Sequence, residues 1–424
     1  MKIIWRLANR GHMISSADQD RIFLKAVRQT SRITHLDLSS ESLDVVNLFS
    51  TAFSKMNTTA PLLRTIRIHS LPGIEGSFLT GLPDAFLAGN APRLTKLILS
   101  GCSISWRSPL LKNLTCLTVR YPPVKSKPTV QTVFGALQNL PSLVTLELRH
   151  CVAPASPFRL PSHTYLILNR LRRMVLSVES LPCLSLLRSM TFPSTTAIHL
   201  VCYHPPQNFP VRQFFAHVSY LLTTATMGSD HPRVIRGLAL TEEYGLSILA
   251  RNTNNSDLRP VVTDLSEDLL DCELPHLQLD VRVEHLSRND TIRSLLGLGS
   301  LSHLENLRIG CVSPLPPKSL SQALEKCRIL KSVYLQGHVS RNSLELILRR
   351  TSLYPALERL TFDNVNFQID SQSTLLRTLV EGLKHRAQDG RSLKKVVLAE
   401  CAGLEAVNLE EIREVFCGEV VYLA

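Results

Sequence analysis

The sequence has little aromatic surface: Phe, Trp and Tyr make up 6% of its 424 residues. Single-stranded nucleic acid is usually held on stacked rings, so this scarcity disfavours a nucleic-acid partner. No stretch approaches the roughly 18 consecutive apolar residues of a membrane-spanning helix. The opening Met1-Lys2-Ile3-Ile4-Trp5 is broken by Arg6, Asn9 and Arg10 before it reaches the length of a signal peptide. Those absences predict a protein of the cytoplasm or nucleus with no membrane partner. The ten cysteines are scattered, and no pair has Cys-x-x-Cys spacing, which leaves structural zinc and a thioredoxin-like couple without support. Phosphate loops ending in Gly-Lys-Ser/Thr are absent, and Leu296-Gly297-Leu298-Gly299 lacks the third glycine of a dinucleotide fingerprint. His199, Cys202 and His204 are close in sequence, but alternation puts His199 on the surface side of a strand and Cys202 in a turn. Neither metal nor cofactor is expected, and no convergent acid, base or nucleophile marks the chain as an enzyme.

Leucine is plentiful instead, and its spacing is regular. Leu94-Thr95-Lys96-Leu97-Ile98-Leu99 carries Leu-x-x-Leu-x-Leu, in which the last two apolar residues alternate as in a strand and the first marks the turn into it. The same spacing returns with its middle residue at Leu36, Ile66, Leu97, Leu117, Leu146, Met174, Ile198, Leu238, Leu277, Leu307, Val333, Leu360 and Val396. Most intervals lie between about 20 and 40 residues, the range in which a strand and its return make one turn of a stacked array. The fold class expected is α/β: a leucine-rich-repeat solenoid of about 13 repeats, with a curved parallel sheet and helical or irregular returns. Residues 1–32 are expected to form an N-terminal helical cap, 33–404 the solenoid with irregular insertions around 150–270, and 405–424 a C-terminal cap. Cys102, Cys151 and Cys401 follow strands by three residues, where such repeats turn away from the sheet, and are expected to be buried thiols.

The returns divide by composition. Apolar residues at helical spacing predict helices over 21–27, 43–53, 82–89, 130–137, 214–222, 320–324 and 344–348, with a closing helix over 409–416 and an edge strand over 420–423. Between the strands at Leu97 and Leu117 only an extended or single-turn return fits.

If the repeat leucines point inward, their neighbours form the opposite face of the sheet. That face would hold Arg67, Lys96, Arg120, Glu147, Arg149, Arg173, His199, Asp280, Arg308, Tyr334 and Arg359, together with residues such as Asp37, Thr118, Gln336 and Asp363. Lysine and arginine outnumber aspartate and glutamate 47 to 35. Cations dominate the face as well, and arginine and tyrosine are over-represented among the residues that anchor interfaces. These residues are expected to bind a protein whose identity the sequence does not give.

Three stretches also point to a family. Ala91-Pro92-Arg93-Leu94-Thr95-Lys96-Leu97-Ile98-Leu99-Ser100-Gly101-Cys102, Leu140-Pro141-Ser142-Leu143-Val144-Thr145-Leu146-Glu147-Leu148-Arg149-His150-Cys151 and Phe192-Pro193-Ser194-Thr195 resemble the repeats of the F-box and leucine-rich-repeat proteins of mushroom-forming fungi. The resemblance covers roughly residues 30 to 340. It implies substrate recognition in an SCF-type ubiquitin ligase, where an F-box recruits a Skp1-like adaptor and the repeats hold the target. Residues 1–32 lack the Leu-Pro opening and the length of an F-box, so the adaptor is expected as a partner only if an F-box lies upstream. The alternative is a repeat-only interaction scaffold with no ligase link.

Overall fold

Alternation of side chains between the two faces of each strand sets the architecture. The computed structural model describes residues 1–7, 16–40, 49, 51–70, 81–153, 166–193, 195–203, 214, 237–242, 246–251, 277–281, 299–311, 325, 327–368 and 374–423. The chain divides into two compact units, one mainly of residues 1–196 and the other mainly of 229–424, with 197–228 divided between them. Both are α/β.

In the first unit seven strands lie side by side, in chain order and all parallel: β1 (Lys2–Leu7), β2 (His35–Ser40), β3 (Thr65–Ser70), β4 (Lys96–Ser100), β5 (Cys116–Arg120), β6 (Thr145–Arg149) and β8 (Arg173–Glu179). A separate parallel pair joins β7 (Leu166–Ile167) to β9 (Met190–Thr191). Register pairs Leu36 with Ile66, Ile66 with Leu97, Leu97 with Leu117, Leu117 with Leu146 and Leu146 with Met174. Two residues on, Leu38, Ile68, Leu99, Val119, Leu148 and Leu176 make a second column. Ile33, Leu63, Leu94, Leu114, Leu143 and Leu171, the first apolar residue of each unit, are buried with them. Each such side chain contributes roughly 1.5–3 kcal/mol by leaving water.

The same device ends successive strands. Gly101, Tyr121 and His150, each the residue after a strand, have φ of 70°, 49° and 51°. Their N–H groups donate to a carbonyl of the next strand, on Arg120, Arg149 and Ser177, at 2.9, 2.9 and 2.7 Å. The bend then drops Cys102 and Cys151 into the core as buried free thiols, as the repeat spacing predicts. Burial pushes both thiols up to about 12.

The returns are short. Pro109–Leu111 is a single 3-10 turn capped by Ser108, whose hydroxyl accepts from the Leu110 N–H at 3.4 Å, as the tight spacing between Leu97 and Leu117 requires. Val130–Gln138 is an α-helix capped by Thr129, which accepts from the Thr132 N–H at 3.2 Å. Phe23, Phe49, Phe53 and Phe86 form a chain of ring contacts with centroids 5.7, 6.1 and 5.2 Å apart in succession, filling the space between the first returns.

In the second unit, β11 (Gly237–Glu242), β14 (Asn306–Cys311), β15 (Ser332–Gly337), β16 (Arg359–Asp363), β17 (Lys395–Ala399) and β18 (Glu419–Leu423) are adjacent and parallel. Leu238, Leu307, Val333, Leu360, Val396 and Val420 fall in one register column. The helices Arg341–Arg349 and Thr374–Gln388 pack together, and a Cβ on Gly382 would stand 2.6 Å from Leu348, so glycine permits the approach. Arg386 is fully buried and donates to the carbonyls of Tyr354 and Arg391 at 3.1 and 3.2 Å.

Several expectations need correction. The sheet begins at β1, which pairs with β2 in a region read only as a helical cap; the predicted helix follows it as Ser16–Val27. Leu277 lies in β13 (Leu277–Val281) but does not stand between Leu238 and Leu307, because Leu238 pairs directly with Leu307. An antiparallel strand, β12 (Leu246–Arg251), separates β13 from β11. Leu246-Ser247-Ile248-Leu249 lacks the repeat spacing, so the repeat pattern does not predict this strand. The helices Ser180–Ser189 and Thr374–Gln388 were likewise not anticipated. The closing helix spans Ala406–Val415, and the expected edge strand is β18. Of the predicted helices, 320–324 and most of 43–53 and of 214–222 lie outside the described residues.

Candidate functional site

The face opposite the leucine columns is built in rows, because parallel strands in register bring equivalent positions side by side at about 4.8 Å. In the first unit the rows place Lys96 beside Cys116, Thr118 beside Glu147, and Arg120 beside Arg149. Thr145 pairs with Arg173 and Glu147 with Val175. Arg67 pairs with Asp37 in register, and its Nη1 lies 3.9 Å from the Asp37 carboxylate.

Glu147 sits at the centre of this face and is 2% exposed. Arg120 donates to it from Nε and Nη2, at 2.8 and 3.1 Å, and Arg149 donates from Nε at 2.5 Å. Burial pushes the Glu147 carboxyl up, but the Arg120 hydrogen bonds and the charges of Arg149, Arg120 and Arg173 outweigh it and hold it below the usual carboxylate range. Burial lowers the Arg173 guanidinium, opposed by the charge of Glu147. The Arg173 Nε is enclosed and has no hydrogen-bond partner among the described residues.

The second unit carries its own network. Arg308 lies over the Tyr334 ring with its guanidinium carbon 4.2 Å from the centroid. Its Nη2 donates to Gln336 Oε1 at 2.7 Å, and the Tyr334 hydroxyl donates to Asp363. Arg308 is 8% exposed, and no carboxylate pairs with it among the described residues. Arg359 lies at the start of β16 and is exposed.

Alternation therefore places Arg67, Lys96, Arg120, Glu147, Arg149 and Arg173 on one face of the first unit, and Arg308, Tyr334 and Arg359 on one face of the second. Not all of them reach solvent. Glu147 and Arg308 are buried, and His199, expected on the surface side of its strand β10 (Ala197–Tyr203), is 3% exposed. Facing away from the leucines is not the same as facing water: long side chains in neighbouring rows lean over the middle of each strand. Asp280 pairs with Ser247 across the antiparallel strand and falls in a different row from Arg308, which pairs with Ala239. Gln336 and Asp363 belong to the Arg308–Tyr334 network, although nothing in the sequence ranks them above other residues of that face. Tyr121 and His150, whose rings stack with centroids 4.9 Å apart, escaped notice because they follow their strands.

No helix among the described residues is long and apolar enough to cross a membrane. Among the described residues no group of His, Cys, Asp and Glu is placed to hold a metal. No protein-family model matches the sequence, and no curated protein is similar to it.

Proposed function

We propose that this chain is a leucine-rich-repeat protein that binds another protein through the arginine-bearing sheet face and performs no chemistry of its own. The observation that carries this reading is the row arrangement: Arg120 and Arg149 are neighbours in register, and Glu147 fixes both. Guanidinium groups held in place lose little freedom on binding, which favours their use as interface anchors. The in-register columns of aliphatic residues support the solenoid reading in each unit.

The context we favour is substrate recognition in an SCF-type ubiquitin ligase of the cytoplasm or nucleus, on the strength of the resemblance to fungal F-box and leucine-rich-repeat proteins. Binding of a Skp1-like adaptor would require an F-box upstream of this sequence. Proximity labelling in the native cell tests the binding faces, comparing the wild type with Lys96→Glu, on the sheet face of the first unit, and with Arg359→Glu, on that of the second. Loss of a shared set of neighbours supports the reading. Recovery of the same neighbours from all three proteins overturns it. Co-purification with the adaptor separates the ligase context from a repeat-only scaffold.

A further inference from the structure

We infer that the second unit takes a side-chain carboxylate of its partner, from an aspartate or glutamate in an acidic segment, at Arg308 and Gln336 on its sheet face. This rests on the protein-binding reading above and names the chemistry of one anchor. The first argument is an unbalanced charge. Arg308 is buried, and no carboxylate pairs with it among the described residues. The acidic residues of its face are engaged elsewhere: Asp363 accepts from the Tyr334 hydroxyl, and Glu419 accepts from Lys395 Nζ at 2.9 Å. A guanidinium withdrawn from water is ordinarily balanced by an anion, and the Tyr334 ring beneath it is a partial substitute. A carboxylate from the partner supplies the balance.

The second argument is the pair of donors. Arg308 Nη2 is spent on Gln336 Oε1, and its Nε is enclosed without an acceptor. Nη1 is not enclosed and makes no hydrogen bond among the described residues. The same bond turns the Gln336 carbonyl toward Arg308, which leaves the Gln336 Nε2 hydrogens without an acceptor among the described residues. Tyr334 pairs in register with Arg308 and Gln336 follows it by two residues, so all three side chains lie on one face. One charged and one neutral N–H group, held together by their own hydrogen bond, match the two oxygens of a single carboxylate.

The third argument selects the anion. On β11 and β14 to β18 this face carries Arg308, Arg359 and Lys395 against Asp363 and Glu419, an excess of one positive charge. One carboxylate matches it, whereas a phosphate monoester at about −1.5 to −2 overshoots it. Asp363, beside Gln336 in register, opposes the second negative charge. A nucleic-acid backbone would require a continuous basic track, and here the signs are interleaved.

The test uses the full chain and an array of peptides with randomised flanks around a central aspartate or glutamate, each with its asparagine or glutamine twin and all with amidated C-termini. Further arms carry a central phosphoserine, or a free C-terminus with no acidic side chain. Retained peptides are titrated by fluorescence anisotropy. Acidic peptides should bind about tenfold or more tightly than their amide twins. Arg308→Gln should lose most of that preference, and Gln336→Glu, which sets a carboxylate against Arg308 from within, should abolish it. Arg413→Gln, exposed on the closing helix Ala406–Val415, should leave it intact. Circular dichroism establishes that each variant is folded, and if Arg308→Gln is not, Gln336→Glu decides. Equal binding of acidic peptides and their twins, an unchanged preference in Gln336→Glu, or tighter binding of the phosphoserine or free C-terminus arm would overturn the inference. If Gln336→Glu captures the same partners in the native cell as the wild type, the carboxylate inference falls and the protein-binding reading stands. If the wild type captures no partner, both fall.

Discussion

Arg308 lies over Tyr334, one strand away, with its guanidinium carbon 4.2 Å from the ring centroid and no carboxylate partner among the described residues. A buried guanidinium is normally paired with a carboxylate; here a ring face and the Gln336 amide stand in for it. A double-mutant cycle with Arg308→Met and Tyr334→Leu should therefore give a coupling of about 1–2 kcal/mol in urea unfolding. Strict additivity would show that the stacking contributes nothing. Tyr334→Phe, which keeps the ring and removes only the hydroxyl bond to Asp363, should cost about 1 kcal/mol.

Glu147 links stability to pH. Its carboxyl is held below the usual range in the folded chain, so the stability it provides is fully present above the ordinary glutamate value of about 4.3 and is lost as pH falls through the lower folded value. Glu147→Gln removes the carboxylate that Arg120 and Arg149 share and should cost about 3 kcal/mol at neutral pH. The gap between wild type and variant should stay constant from about pH 7 to pH 5 and narrow below about pH 4. A gap that does not change down to the acid limit would mean that Glu147 is not ionised in the fold.

The strand-end bend separates two kinds of position. A Cβ at Gly101 would stand 2.1 Å from the Ser70 carbonyl oxygen, so Gly101→Ala should destabilise by about 3 kcal/mol. Glu400 holds the equivalent place after β17 with φ of 49° and an exposed side chain. Replacing it with glycine relieves the left-handed strain and should stabilise by up to about 1 kcal/mol. Shifts of the same sign in both variants, read from melting midpoints, would contradict this account.

Thiol reactivity should follow burial. Cys417 is exposed, while Cys102 and Cys151 are buried and their thiols are pushed up to about 12. Iodoacetamide at pH 8 should modify Cys417 in the native protein and reach Cys102 and Cys151 only after denaturant is added. Native labelling of Cys102 at the rate of Cys417, seen by peptide mass mapping, would show that the bend after β4 opens.

Much of the fold is legible in the sequence. Period-two alternation is a local property, so Leu97 and Leu99, or Leu146 and Leu148, announce an inward face without reference to the rest of the chain. The short return at Ser108 and Pro109 follows from chain length alone. Glu147 and its arginines could be assigned to one face in the same way, but their pairing depends on register between strands, which no local pattern encodes.

Two matters were settled only in three dimensions. One is strand order: Leu277 carries the repeat spacing, yet an unrecognised antiparallel strand takes the place beside β11, because pairing depends on which edge is free when the segment docks. The other is exposure. The sequence by itself determined which residues turn away from the leucine core, since that follows from the pleat of a single strand. Whether Glu147, His199 and Arg308 then meet water depended on the neighbouring parts of the fold, because the atoms that cover a side chain come from segments distant in the chain.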